Sequence, residues 1–200
     1  MFRVIVAALL VSFVAHRGFY TRRAQRSADA VLERPRSGRA TQIATFLALL
    51  ALLSTLIYIF LPDWMAWSRL SLPIWLRWVG VGVALTGFGL LQWAQVTLGK
   101  NWSDAPTLFA GQAMIASGPY QWVRHPIYSS FLLILGSLLL ISSNWCVGGL
   151  WLAMTALVVA SRIRTEEALM VGGFGQRYQS YMRSTGRLFP RLVRQDRADT

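Results

Sequence analysis

Charged side chains, lysine and cysteine are all scarce in this sequence of 200 residues. Only 14 % of the residues are charged, whereas 54 % are apolar and nine are tryptophan, an apolar share above that of ordinary soluble domains. The single cysteine, Cys146, excludes an internal disulfide and any zinc site of the CxxC or Cys/His type, and we expect no catalytic metal. The composition therefore predicts an integral membrane protein.

The basic residues that are present lie in two blocks. The net charge is +12, and it comes almost entirely from arginine, with seven arginines in residues 16–40 and eight in residues 161–200. Nucleic-acid binding would explain such charge, but basic residues that flank apolar segments have a simpler topological meaning, so we expect no nucleic-acid partner. The arginine-rich, lysine-poor composition indicates a bacterial protein, which predicts the inner membrane as its location.

Apolar runs predict an all-α fold, an integral membrane bundle of about five transmembrane helices followed by a cytoplasmic C-terminal helical segment. The runs cover residues 2–15, 43–61, 74–98, 127–141 and 147–160. The first run is shorter than the roughly 20 residues of a straight span, so a tilted or interfacial helix is possible, and a signal peptide without a clear cleavage site is the alternative. The last two runs are so close in sequence that they must form an antiparallel hairpin.

Arginine is distributed unevenly over the predicted loops. Residues 16–40, residues 99–125 and the C-terminal tail hold nearly every loop arginine, whereas the turns at 62–73 and 142–146 hold Arg69 alone. The positive-inside rule then places the arginine-rich loops and the tail in the cytoplasm. Four spans would give the same assignment if the first run did not cross.

The sequence GPYQWVRHPIY, residues 118–128, joins a polar stretch directly to an apolar run. The residue before a proline is biased away from helix, so Pro126 should open the next helix with His125 at its N-terminal edge. Unsatisfied N–H groups at such an edge suit an anionic or polar ligand. The alternative is an interfacial turn anchored at the lipid head groups, and this alternative fits Trp122 best.

A second polar element, RIRTEEALMVGGFGQRYQSY, begins at Arg162. If the last apolar helix continues through it, Arg162 and Glu166 share one face, whereas Glu167 points elsewhere. The glycines in residues 172–175 should then break the helix, and an ordinary solvated helix start is the alternative. Both elements lie at the open end of one short hairpin, so we expect His125 and Glu166 at the same membrane depth, in a pocket that touches lipid.

These elements resemble the isoprenylcysteine carboxyl methyltransferase family and the related membrane phospholipid methyltransferases. The resemblance covers roughly residues 100–192, where GPYxxVRHPxY, an arginine-rich EE element, FGxxYxxY and R-L-x-P occur in the family's order. It implies a methyltransferase core in residues 99–200, preceded by about three spans in residues 1–98. It also implies S-adenosylmethionine as methyl donor, held between the cytoplasmic ends of the last two spans and the tail.

The resemblance also implies which residues form the site. The cofactor-binding positions would be Gln112, Ala113, Met114, Ile115, Tyr120, His125, Pro126, Ile127, Tyr128 and Glu166. Catalytic roles would fall to His125, Arg162 and Glu166, with Glu166 on the amino group of the cofactor and Arg162 on the acceptor. The chemistry agrees, because a carboxylate suits an ammonium and a guanidinium binds a carboxylate through two hydrogen bonds.

The implied acceptor is a lipophilic small molecule or a lipidated substrate in contact with membrane lipid, and carboxyl O-methylation of an isoprenylcysteine-like group is the favoured reaction. A carboxylate is ionised at neutral pH and needs no general base. An amine acceptor would need one, and neither His125, Glu167 nor a tyrosine is unambiguously that base. The alternatives are phospholipid or other small-lipophile N- or O-methylation and, in another class, a non-catalytic membrane scaffold or transporter.

Overall fold

The computed structural model describes residues 1–27, 31–33, 38–99, 108–109 and 113–191. Its α-helices are α1 (Phe2–Ser27), α2 (Arg39–Phe60), α3 (Ile74–Leu98), α4 (Pro126–Ser142), α5 (Trp145–Phe174) and α6 (Gln176–Ser184). The remaining regular elements are a first 3₁₀ helix (Pro62–Ser68), a second 3₁₀ helix (Gly118–Gln121) and two short strands, β1 (Val31–Glu33) and β2 (Leu108–Phe109). The predicted helical membrane fold is confirmed.

Four of the described helices are long and apolar enough to cross a membrane, namely α2, α3, α5 and residues Phe2–Arg23 of α1. The first helix is therefore longer than the apolar run that predicted it, because the helix continues through the polar residues after Ala15. Helix α4 is apolar but has 17 residues, or about 26 Å at 1.5 Å per residue, against about 30 Å of hydrocarbon. The number of helices that cross completely stays a prediction.

The connections lie at two opposite ends of the bundle. At one end, the Leu70 N–H donates to the Ser143 carbonyl oxygen at 2.7 Å, which joins the first 3₁₀ helix region to the α4–α5 turn. We call this the turn end. At the other end, β1 pairs antiparallel with β2, and the chain after α6 returns to the start of α4. We call this the tail end. The predicted grouping of the loops is confirmed, whereas the cytoplasmic position of the tail end stays a prediction.

Helix α3 packs closely on α4 through two of its glycines. Four glycines of α3 have spacings that predict close helix approach, but only Gly80 and Gly87 provide it. A Cβ atom would lie 2.8 Å from the nearest α4 side-chain atom at Gly80 and 2.7 Å at Gly87, whereas Gly82 and Gly89 have nothing within 4 Å. Residues seven apart share a helix face, so one face alone makes the contact.

The α4–α5 hairpin is locked by its connecting turn. Asn144 caps α5 by accepting a hydrogen bond from the Val147 N–H at 3.0 Å, and its side-chain amide donates to Ser68 Oγ at 2.7 Å. A Cβ atom on Gly148 would lie only 2.2 Å from the Leu139 Cα atom, so the two backbones are in contact. This tight hairpin confirms the prediction and fixes the C-terminal part of α5 beside the start of α4.

Candidate active site

The start of α4 follows from its proline. Pro126 occupies the first helical position with His125 as the N-cap, as predicted. The N–H groups of Tyr128 and Ser129 donate to the His125 carbonyl oxygen at 3.0 and 3.1 Å, and Pro126 has no N–H. The helix N-terminus therefore offers a ligand chiefly the N–H of Ile127, fewer donors than the sequence suggested.

Helix α5 carries the second polar element beyond the start of α4. It runs without interruption through Arg162, Glu166 and Glu167 to Phe174, so the predicted i, i+4 relation between Arg162 and Glu166 is confirmed. The helix ends only at Gly175, the last glycine of the predicted break, where φ is +56°. Glycine adopts this left-handed conformation without the steric cost that a side chain brings.

His125 lies between the two carboxylates of α5. Its Nδ1 atom is 3.5 Å from Glu166 Oε2 and its Nε2 atom is 3.4 Å from Glu167 Oε1, while the Tyr128 hydroxyl donates to Glu166 Oε1. Burial lowers the pKa of His125, but hydrogen bonds from its ring to the two carboxylates outweigh burial and raise that pKa above its usual value. The predicted proximity of His125 and Glu166 is confirmed.

Glu167 is the most heavily bonded carboxylate of the site, although it points away from the face that Arg162 and Glu166 share, as predicted. Arg124 donates to Glu167 Oε1 from Nε at 3.0 Å, and Arg187 donates to Glu167 Oε2 from Nη2 at 2.7 Å. The two glutamates do occupy different helix faces, but the His125 ring fits between them and the tail covers the second face. Glu167 is buried at 5 % exposure, whereas the Glu166 side chain is 22 % exposed.

The C-terminal tail binds back onto the motif that precedes α4. The Gly186 carbonyl oxygen accepts the Arg124 N–H at 2.8 Å, and the Gly186 N–H donates to the Trp122 carbonyl oxygen at 3.2 Å. The Arg124 side chain also donates to the Met182 carbonyl oxygen at 2.9 Å. A Cβ atom on Gly186 would lie 1.8 Å from the Phe189 carbonyl oxygen, so only glycine fits this turn. The tail is thus a wall of the site.

Sequence reasoning left Arg124, Glu167 and Arg187 out of the site. All three belong to the elements that carry the family resemblance, RHPIY, the EE pair and R-L-x-P. Their position in those elements was the available signal. Their pairing was not readable, because it depends on the tail folding back.

The segment expected to cover the cofactor is only partly described. Gln112 lies outside the described residues. Ala113 is exposed, and Met114 and Ile115 are half-buried in the extended stretch before the second 3₁₀ helix. Their contact with a cofactor stays a prediction.

Three side chains at the tail end have a buried polar group without a hydrogen-bond partner within the described part of the chain. The groups are the hydroxyl of Tyr120, the side-chain amide of Gln95 in the last turn of α3, and Nδ1 of His16 in α1. An unsatisfied buried polar group costs about 1–3 kcal/mol, so such groups mark places where a ligand or water completes the bonding. The Tyr120 carbonyl oxygen accepts from the Tyr181 hydroxyl, and burial raises the pKa of Tyr181 to about 12.

The structure brings four of the predicted residues together. Arg162 is half-buried one helical turn before Glu166 and interacts electrostatically with the Tyr128 hydroxyl, while Tyr128 and His125 stack with ring centroids 5.7 Å apart. Across the described ranges, no group of three His, Cys, Asp or Glu side chains is arranged to hold a metal ion. The site therefore offers carboxylate, imidazole, hydroxyl and guanidinium groups to an organic ligand.

The class defined by these features is a multi-pass membrane protein with a cluster of interacting polar side chains at one end of a helical bundle. Its fold is similar to a solved structure titled as the eukaryotic intramembrane Ras methyltransferase ICMT (isoprenylcysteine carboxyl methyltransferase). The TM-score is 0.59 at 23 % identity, and the similarity covers 77 % of this chain and 54 % of that chain. The likeness establishes the shared fold.

Sequence comparison finds the same family resemblance. Residues 79–172 match the model of the isoprenylcysteine carboxyl methyltransferase family. Relatives named protein-S-isoprenylcysteine O-methyltransferase are 28 % identical over 119 residues in Tribolium castaneum and 32 % identical over 116 residues in Xenopus laevis. The resemblance predicted from the sequence is confirmed.

The relatives are longer than this chain's matched part, and they do not all have the same name. The cobalt-zinc-cadmium resistance protein CzcN of Cupriavidus metallidurans is 31 % identical over 121 residues, which are 58 % of this chain. The Tribolium and Xenopus matches cover 58 % and 54 % of this chain. The chain spans 42 %, 38 % and 55 % of the Tribolium, Xenopus and Cupriavidus relatives, respectively.

Proposed function

We propose that this chain is an integral membrane methyltransferase that uses S-adenosylmethionine to methylate a lipophilic acceptor, by carboxyl O-methylation of an isoprenylcysteine-like group. The observation that carries the proposal is the difference in burial and bonding partners between two adjacent carboxylates. Glu167 is buried and neutralised by two arginines, whereas Glu166 is partly exposed and bonded to His125 and Tyr128. Glu166 therefore keeps capacity for a cationic ligand group.

The residues present fit S-adenosylmethionine, which when bound supplies an electrophilic methyl group on a sulfonium sulfur. A carboxylate has about four acceptor sites, so Glu166 can accept from an ammonium in addition to its two present partners. The Ile127 N–H suits a ligand carboxylate. The unpartnered Tyr120 hydroxyl and Gln95 amide, both at the same end of the bundle, suit the remaining polar atoms of such a cofactor.

Arg162 is the proposed ligand of the acceptor. It lies one turn before Glu166, on the part of α5 that is level with the start of α4, and a guanidinium binds a carboxylate through two parallel hydrogen bonds. Because the short helix α4 places this region near the membrane boundary, a lipophilic acceptor can reach it from the bilayer. The chain would then act by holding acceptor and methyl donor in line and by excluding water.

One observation favours a second acceptor class, an amine of a phospholipid head group. An amine must lose a proton before or during methylation, and His125 is a stronger base than a free imidazole because two carboxylates stabilise its protonated form. A carboxylate acceptor would not require this property.

The proposed location is a bacterial inner membrane with the tail in the cytoplasm. The arginine-rich stretches at residues 16–40 and 161–200 support it. A fluorescent protein that matures only in the cytoplasm, fused after Thr200, should fluoresce in cells. A periplasmic reporter active at the same position would reverse the assignment.

Cofactor binding is tested by calorimetry on the purified full chain in detergent. We expect S-adenosylmethionine to bind, and Glu166→Gln to weaken binding by about tenfold or more, since a charge-assisted hydrogen bond contributes about 1.5–3 kcal/mol. The matched control Asp63→Asn, at an exposed carboxylate of the turn end, should bind normally. Absence of binding by the unchanged protein would contradict the enzyme proposal, and binding that survives Glu166→Gln and His125→Gln would contradict the site.

The acceptor is identified by transfer of tritiated methyl groups from the labelled cofactor. Prenylcysteine analogues should acquire label as a base-labile methyl ester, and Arg162→Gln should reduce turnover more than cofactor affinity. Label that is stable to base and resides in phospholipid head groups would replace carboxyl methylation by N-methylation. Equal losses of turnover and affinity in Arg162→Gln would move Arg162 into the cofactor site.

A further inference from the structure

A cavity lies at the turn end, on the side of the bundle opposite the candidate active site. It has a volume of about 420 Å³, within the roughly 300–1,000 Å³ typical of small-molecule sites. Its charged wall consists of Arg3, Arg69 and Arg77, and no aspartate or glutamate is among the described residues that line it. A cavity with three guanidinium groups and no carboxylate is electrostatically suited to an anion.

Arg77 is fixed in this cavity by uncharged partners. Its Nε and Nη2 atoms donate to the Ile141 carbonyl oxygen at 3.0 and 2.8 Å, and its guanidinium carbon lies 3.8 Å from the centre of the Phe2 ring. These contacts orient the side chain, and no carboxylate among the described residues forms an ion pair with it. A half-buried guanidinium held in this way is preorganised for an anionic ligand.

The turn beside Arg77 is held by several hydrogen bonds, so this part of the cavity wall is a built feature of the fold. The Ser143 hydroxyl donates to the Leu70 carbonyl oxygen, and the Leu70 N–H donates back to the Ser143 carbonyl oxygen at 2.7 Å. Asn144 donates to Ser68 Oγ at 2.7 Å. These bonds use the polar groups of the turn internally, which leaves the three arginines as the groups that can take a charged ligand.

The membrane position of the cavity indicates the chemistry of its ligand. Exposed tryptophans surround the turn end, and such residues lie at the level of lipid head groups. They are Trp64, Trp67, Trp75 and Trp145. The three arginines also depart from the asymmetry that concentrates arginine at the tail end, so topology alone does not account for them.

We propose that this cavity binds a phosphate-type oxyanion, supplied by the head group of an anionic phospholipid or by free phosphate in solution. The planar forks of the guanidinium groups match the geometry of phosphate oxygens. Basic pockets between membrane helices bind phosphorylated head groups in the same way. The ligand neutralises the charge of Arg3, Arg69 and Arg77 and stabilises the contact of α1 with α3 and the α4–α5 turn.

The experiment measures the thermal unfolding midpoint of the full chain under two pairs of conditions. One pair compares inorganic phosphate with chloride at equal ionic strength in a neutral detergent. The other compares vesicles of phosphatidylcholine with vesicles of phosphatidylcholine and phosphatidylglycerol in equal parts. The test variant is Arg3→Gln/Arg69→Gln, at two exposed rim positions, and the charge-matched control is Arg22→Gln/Arg39→Gln, at exposed positions of the tail end.

We expect the ligand to raise the midpoint of the unchanged protein and of the control, because a ligand that binds only the folded state stabilises it. The rim variant should bind about tenfold more weakly and lose most of that rise. A rise with phosphatidylglycerol alone identifies a lipid ligand, and a rise with inorganic phosphate identifies a free anion. No rise in either pair, or a rise that the rim variant retains or the control loses equally, would overturn the proposal.

Discussion

The two ends of the bundle use arginine in opposite ways. At the tail end, Arg124 and Arg187 both form ion pairs with the carboxylate of Glu167. These ion pairs neutralise the two arginines and fix the tail to the start of α4. At the turn end, Arg77 is held by carbonyl oxygens and an aromatic ring, so its charge stays available. The comparison indicates that the partner of a guanidinium, and not its presence alone, separates an arginine that supports structure from one whose charge is available to a ligand.

The largest expected effect comes from removing the carboxylate that unites the tail end. Glu167→Ala leaves the buried guanidinium of Arg124 unpaired, and breaking a buried ion pair costs about 3–5 kcal/mol. We expect about 3 kcal/mol, because Arg187 is 53 % exposed and can be solvated. The thermal unfolding midpoint in detergent should fall sharply, and the chain after Gly175 should become sensitive to protease.

The neighbouring glutamate provides the control for this prediction. Glu166→Gln should leave the unfolding midpoint nearly unchanged, since the Glu166 side chain is partly exposed and the glutamine oxygen can still accept from the Tyr128 hydroxyl. Equal destabilisation by Glu166→Gln and Glu167→Ala would remove the distinction between a structural and a ligand-binding carboxylate.

A second effect tests the close backbone contact near the turn end. Gly148→Ala places a Cβ atom 2.2 Å from the Leu139 Cα atom, and overpacking of this kind costs about 1–3 kcal/mol. Gly149→Ala, one residue later, meets nothing within 4 Å and should stabilise the helix by up to about 1 kcal/mol. Chemical or thermal unfolding of the two variants should move in opposite directions; a shared direction would show that helix propensity outweighs packing.

Much of the fold could be predicted because it depends on local pattern. Apolar run length, the proline at the start of α4 and the short α4–α5 connection are all readable from neighbouring residues. The extent of α1 could not be read in this way, since an α-helix can continue through polar residues once it leaves the hydrocarbon. The prediction of close packing by the α3 glycines was correct for only two of them. Spacing shows that Gly80 and Gly87 share a face, but it does not show which face meets α4.

Contacts within the site could be predicted only where both side chains lie in one motif or where the family elements indicate that they meet. His125 and Tyr128 lie in one motif, and the short hairpin brings Glu166 to them. The role of Glu167 depends on Arg187, twenty residues later, and on a tail that returns to the start of α4. A helical wheel treats α5 as isolated, so it cannot show that a second segment covers the other face.

A smaller effect concerns the contact between α6 and the second 3₁₀ helix. Tyr181→Phe removes the hydrogen bond to the Tyr120 carbonyl oxygen, and a neutral hydrogen bond contributes about 0.5–1.5 kcal/mol. The loss should be constant from pH 6 to pH 9, because burial raises the pKa of Tyr181 to about 12 and keeps the hydroxyl protonated. Unfolding midpoints of the two proteins at several pH values check this; a difference that vanishes within that range would contradict the assigned donor.

The smallest expected effect is the pH dependence that His125 gives to the tail end, because burial opposes the two carboxylates that raise its pKa. A pKa raised in the folded state means that the folded protein binds the proton more tightly than the unfolded chain does. This stabilisation is complete below the unfolded value of about 6.5 and is lost as pH rises through the folded pKa. The unfolding midpoint of the unchanged protein should therefore decline over that interval, and the decline should be absent in His125→Gln. His16→Gln, at the other of the two histidines, should retain it; a decline that persists without His125 would assign the proton to another group and separate the imidazole from the two carboxylates.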